Sequence, residues 1–90
     1  MKRLELIAGE SMQAELVEAL EAALPGIEYT LIPRALGKGA SSRREGTNVW
    51  PEENFVLFSY LGEAEAERAL AAVESVRSRF PAEGVAVFLL

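Results

Sequence analysis

Asn54-Phe55-Val56-Leu57-Phe58-Ser59-Tyr60-Leu61-Gly62 is the stretch on which the fold turns. Eight residues rich in Phe, Val and Leu, closed by a glycine, read as a strand. Behind Gly62 stand Glu63, Glu65 and Glu67, and Arg77 and Arg79 come in the last turn before the next break. Each sign opposes the partial charge at its end of a helix dipole, so this segment is a helix with its start at Gly62. Leu70, Val73, Val76 and Phe80 recur at helical spacing and are the expected buried stripe. Pro81 to Gly84 then turns the chain into Val85 to Leu90, a second apolar strand.

The first half of the chain repeats this order. Lys2 to Ala8 alternates, with Leu4, Leu6 and Ala8 on one face and Arg3, Glu5 and Ile7 on the other, as a strand does. Ser11 is placed to cap a helix running to Leu24, in which Met12, Leu16, Val17, Leu20 and Leu24 share a face opposite Glu15, Glu18 and Glu21. Pro25 and Gly26 stop it. Ile27 to Ile32 alternates again, and Pro33 closes that strand. Between residues 34 and 53 glycines, serines and Pro51 replace any apolar period, which predicts one long loop. Strand, helix, strand, loop, strand, helix, strand predicts an α+β ferredoxin-like β-α-β-β-α-β sandwich: one domain over residues 1–90, with a four-stranded antiparallel sheet and both helices on one face.

Composition narrows the chemistry. Ninety residues, half of them apolar, suffice for one core. There is no Cys and no His, which removes thiolate nucleophiles, disulfides, soft-metal sites and the usual general base, and an enzyme is not expected. Any metal would have to be a hard cation on Glu oxygens. No apolar run approaches the roughly 18 residues of a membrane span, and Met1 to Ala8 is too short for a signal peptide, so neither membrane insertion nor export is expected and the cytoplasm is the expected location. An acidic chain, net charge -5, opposes nucleic-acid binding.

Two helices cover one face of such a sheet, so the strands of a monomer should alternate apolar with polar residues. Phe55 to Phe58 and Val85 to Leu90 do not. Val56, Phe58, Tyr60, Ala86, Phe88 and Leu90 are expected to form an uncovered apolar face, and a homo-oligomer is expected to cover it. The alternative is that the long loop folds back over it.

Of the nine basic residues, Arg34, Lys38, Arg43 and Arg44 fall between positions 34 and 44, where none of the fourteen acidic residues lies. With Gly37 and Gly39 among them, their backbone N–H groups can approach an anion, so Arg34, Gly37, Lys38, Gly39, Arg43 and Arg44 are the candidate ligand-binding residues, suited to a phosphate or carboxylate. A solvated loop without a ligand is the plain alternative. Trp50, before Pro51, reads as an anchor of the loop base or as a surface on which a ligand or partner stacks.

The order of elements, the long loop and Arg34-Ala35-Leu36-Gly37-Lys38-Gly39 resemble the nitrogen-regulatory P-II signalling superfamily. The resemblance implies a non-catalytic regulatory protein, a homotrimer, with a ligand cleft at the base of the long loop (the T-loop) and a partner protein engaged by the 34–53 loop. Gly37 and Lys38 stand where the family's loop base carries a Gly and a basic residue. Gly39 replaces the usual Gln, and Phe80-Pro81-Ala82-Glu83-Gly84 lacks the Lys of the second nucleotide loop, so ATP is not expected to bind in the family's manner, and no cofactor is specified. The trimeric metal-tolerance proteins share the architecture and remain the alternative, with a divalent cation as ligand, as does an accessory domain of an enzyme that binds small molecules.

Overall fold

A computed structural model describes residues 1–37 and 53–90. Strand β1 spans Lys2–Gly9, and a 3-10 turn over Glu10–Met12 leads into helix α1, Gln13–Ala23. Strand β2 is Thr30–Ala35 and strand β3 Asn54–Leu61; helix α2, Glu63–Arg79, and strand β4, Val85–Leu89, complete the chain. The four strands form one antiparallel sheet in the order β2-β3-β1-β4, the expected ferredoxin-like arrangement.

The core lies between the sheet and the helices. Leu4 and Leu6 of β1, Leu16 and Leu20 of α1, and Phe55 and Leu57 of β3 are wholly enclosed. Burying a side chain of this size contributes about 2 kcal/mol, so these six define the layer that holds the helices down. Alternation works as the sequence predicts on β1, where Arg3, Glu5 and Ile7 stay on the opposite face.

Four local expectations are corrected. Ser11 does not cap α1; it lies inside the 3-10 turn, which tucks Met12 into the core before the α-helix begins at Gln13. Ile27 to Tyr29 is not strand: the chain turns at Gly26, whose φ of 83° suits glycine, and Ile27 and Tyr29 pack on the core before pairing starts at Thr30. Pro33 does not end β2. The strand continues to Ala35 across an irregularity, because an edge strand can spare the N–H that proline lacks. The buried stripe of α2 is Ala66, Ala69, Val73 and Val76, and Leu70 and Phe80 sit at its half-buried margin. Gly62 starts this helix as expected, its N–H donating to Glu65 Oε1 at 3.2 Å.

Candidate functional site

The loop between β2 and β3 is rooted at one end of the sheet by three segments. Ile32 pairs with Val56 and Ala35 with Asn54, so two residues of β2, Pro33 and Arg34, fall between consecutive pairs. Arg34 absorbs the mismatch with a φ of 59°, the left-handed region that a non-glycine residue enters at a cost of roughly 1–2 kcal/mol. Strain of this kind persists where the surroundings dictate it, and functional sites are where it gathers. Gly37 follows, and a Cβ placed on it would come within 2.8 Å of Asn54 Nδ2, so a side chain at position 37 would have to push the end of the Asn54 side chain aside. On the third segment the N–H of Glu10 donates to the carbonyl of Glu53 at 2.8 Å, and Gly9 pairs with Asn54. The turn before β4 opens at the same end, since Val85 pairs with Ala8.

Of the six candidate ligand residues, the structure therefore brings two to this root, Arg34 exposed on the bulge and Gly37 beside Asn54. Lys38, Gly39, Arg43 and Arg44 lie outside the described residues, as do Trp50 and Pro51. Glu10, Glu53 and Asn54 are the root residues that sequence reasoning missed; only the strand pairing shows that they meet. Among the described residues no cluster of three or more acidic side chains is placed to hold a metal ion, and no helix is long and apolar enough to cross a membrane.

Two shallow hollows lie away from Arg34 and Gly37. One, of about 320 Å³, is at the opposite end of the sheet, between Leu24, Gly26 and Glu28 on one side and Leu61, Glu65 and Arg68 on the other. The second, of about 330 Å³, borders Arg77 and Pro81 at the end of α2.

Among the described residues the sheet face away from the helices carries exposed, largely apolar side chains; the alternative that the long loop folds back over it concerns residues 38–52, which lie outside the described residues. Tyr60, Phe88 and Leu90 are 56%, 46% and 68% exposed, as the unbroken apolar runs predict, and Ile32 of β2 joins them at 48%. Register arranges the face in rows: Tyr60 beside Arg3 beside Leu90, then Phe58 beside Glu5 beside Phe88, then Val56 beside Ile7 beside Ala86. Sequence reasoning placed the aromatic flanks and, by alternation, Arg3 and Glu5 on this outer face; it did not foresee that the pair sits between those flanks. Arg3 stacks on Phe58 with its guanidinium carbon 4.5 Å from the ring centre, donates from Nη1 to the Tyr60 hydroxyl at 2.7 Å, and donates from Nε to Glu5 Oε1 at 3.1 Å. Desolvation works to lower the pKa of Arg3, and its hydrogen bonds to Glu5 and Tyr60 outweigh that, so the guanidinium is held above its ordinary value and stays charged.

The sequence matches no protein-family model and no curated protein. Solved structures do match. The chain is similar to a PII-like signalling protein from Thermus thermophilus, with a TM-score of 0.67 and 24% identity over 99% of this chain and 83% of that one. It is similar to CPII from Thiomonas intermedia, bound to ADP and bicarbonate, with a TM-score of 0.73 and 22% identity over 99% and 82% of the two chains. A de novo designed protein, Foldit4, also superposes, at a TM-score of 0.59 and 11% identity over 100% and 97%. At these identities the likeness establishes the fold, which is that of the PII-like proteins; the designed example shows that the same architecture exists without a natural role.

Proposed function

We propose that this chain is a PII-like regulatory protein, non-catalytic, that binds a small anion at the root of its basic loop and assembles through the open sheet face, with a trimer favoured. The observation that carries the reading is the loop root, where a strained Arg34 and a Gly37 set close against Asn54 open a segment that goes on to Lys38, Arg43 and Arg44. A backbone held against its preference beside a run of positive charge is suited to an oxyanion. The solved relative in fold that carries bicarbonate supports the same class of ligand. A cytoplasmic setting, and a partner protein read by the 34–53 loop, go with this role.

Two ligand readings separate cleanly. The ADP in that same relative favours a nucleotide. Gly39, and the turn Pro81 to Gly84 with no lysine, favour a small anion alone. Calorimetry with sodium bicarbonate, phosphate, ADP, AMP and ATP decides between them. Binding of bicarbonate or phosphate that is lost in Lys38→Ala, with no micromolar affinity for ATP, is the expected result. Micromolar ATP binding that disappears in Lys38→Ala would replace the small anion by a nucleotide. No heat with any of the five would remove the ligand reading altogether.

A further inference from the structure

We infer that the Arg3–Glu5 pair is the element of the open face that selects a second copy of this chain and fixes how that copy sits. The inference rests on the reading of this face as a self-association surface and adds what determines its register.

Position is the first argument. The pair lies on β1, one of the two inner strands, so it occupies the middle of the face rather than its rim. Phe58 and Phe88 flank Glu5, and Tyr60 and Leu90 flank Arg3, so the aromatic ground around the charges is what a partner must cover.

The second argument is that the pair is organised before any partner arrives. Glu5 Oε1 takes Arg3 Nε at 3.1 Å and lies 3.0 Å from Arg3 Nη2, and the Tyr60 hydroxyl takes Nη1. The guanidinium lies 4.5 Å from the Phe58 ring centre and 5.6 Å from that of Tyr60, and those two rings meet edge to face. A guanidinium has five N–H donors, and these described contacts engage three of them and one carboxylate oxygen. Among the described residues these groups make no further contact, so two N–H groups and Glu5 Oε2 remain for a partner. Holding the group flat in advance lowers the ordering cost of a partner contact.

Charge identifies the occupant. The chain as a whole is at -5, so two copies repel in general, but these rows hold one cation and one anion. A patch that offers both donors and an acceptor is complementary to itself. A second copy brings the carboxylate that Arg3 still accommodates and the N–H groups that Glu5 can still accept. An apolar partner without such groups would cover the charges and leave their outward capacity unmet, which is costly. A single polar contact inside an otherwise apolar interface is also the device by which helical assemblies specify register and stoichiometry.

Charge complementation between variants tests this. Arg3→Glu and Glu5→Arg, each with two like charges on the face, are expected to stay folded by circular dichroism and to raise the dissociation constant of the assembly by roughly tenfold or more. An equimolar mixture of the two is expected to give assemblies containing both chains in native mass spectrometry. The neutral double variant Arg3→Met/Glu5→Gln keeps the apolar face and is expected to associate with mixed stoichiometries where the unaltered protein gives one. A neutral variant with the same single stoichiometry, together with a mixture that forms no mixed assemblies, would overturn the inference and leave self-association standing. An unaltered protein that is monomeric throughout would remove the underlying reading as well.

Discussion

Phe88→Glu isolates the open face from everything else in the molecule. In the single chain Phe88 is 46% exposed, and a phenylalanine side chain buries about 200 Å² when enclosed, so a neighbouring subunit has about 90 Å² left to cover. At 25 cal/mol per Å² that is about 2 kcal/mol, so Phe88→Ala alone should weaken each contact by roughly thirtyfold. The charged variant goes further. Phe88 lies directly across from Glu5, so the new carboxylate faces a like charge on the neighbouring strand and would be covered without a partner, at a cost of several kcal/mol. Sedimentation velocity between about 1 and 100 μM, the range over which a micromolar contact changes occupancy, should show an oligomer for the unaltered chain and a monomer for Phe88→Glu. Because the ring points away from the core, the melting temperature of the monomer should drop only by what the lost contacts supplied. An oligomer of Phe88→Glu as stable on dilution as the original would refute the assignment of this face.

Three further outcomes follow from the loop root. Arg34→Gly relieves a left-handed φ, so it should raise stability by about 1 kcal/mol and the melting temperature by several degrees while anion binding measured by calorimetry weakens; an unchanged or lower melting temperature would show that the bulge stores no strain. Gly37→Ala should cost no more than about 1 kcal/mol, because the end of the Asn54 side chain can move aside, and Asn54→Ala in the same chain should remove that cost, which a double-mutant cycle by denaturant melts would read. Arg43→Ala with Arg44→Ala should weaken binding and flatten its salt dependence with little change in melting temperature; a large loss of stability would make the two arginines a structural clasp.

The sequence made the architecture legible because each strand and helix announced itself locally: Asn54–Leu61 was read to the residue, and α2 from Gly62 onward by its glutamates and arginines. What could not be read depends on neighbours. Pro33 looked like a terminator because nothing in the residues themselves says that β2 is an edge strand, where a missing N–H costs no ladder bond. The stripe expected on α2 was Leu70, Val73, Val76 and Phe80; Ala66 and Ala69 take the places of Leu70 and Phe80 in the buried row, which only the packing of α2 against the core reveals. Arg3 and Glu5 were assigned to the outer face by alternation, but their meeting with Phe58 and Tyr60 needed the register of β1 on β3. At the candidate site Arg34 and Gly37 were legible as part of a basic, glycine-containing run. The left-handed turn and the approach to Asn54 were not, since both arise from the pairing of Ala35 with Asn54.

The irregularity in β2 bears on more than the loop it supports. A sheet invites strands from other molecules to lengthen it at its margins, and unlimited polymers grow when every subunit has two receptive margins. Here one outer strand is β2, where Pro33 has no N–H and the backward turn at Arg34 throws the row of bonding groups out of step, and the other is β4. Accidental pairing between two β4 margins joins two molecules and leaves only the interrupted β2 margins for a third. Among the described residues, the kink that presents Arg34 to solvent is thus also an obstacle to regular strand addition along the β2 margin.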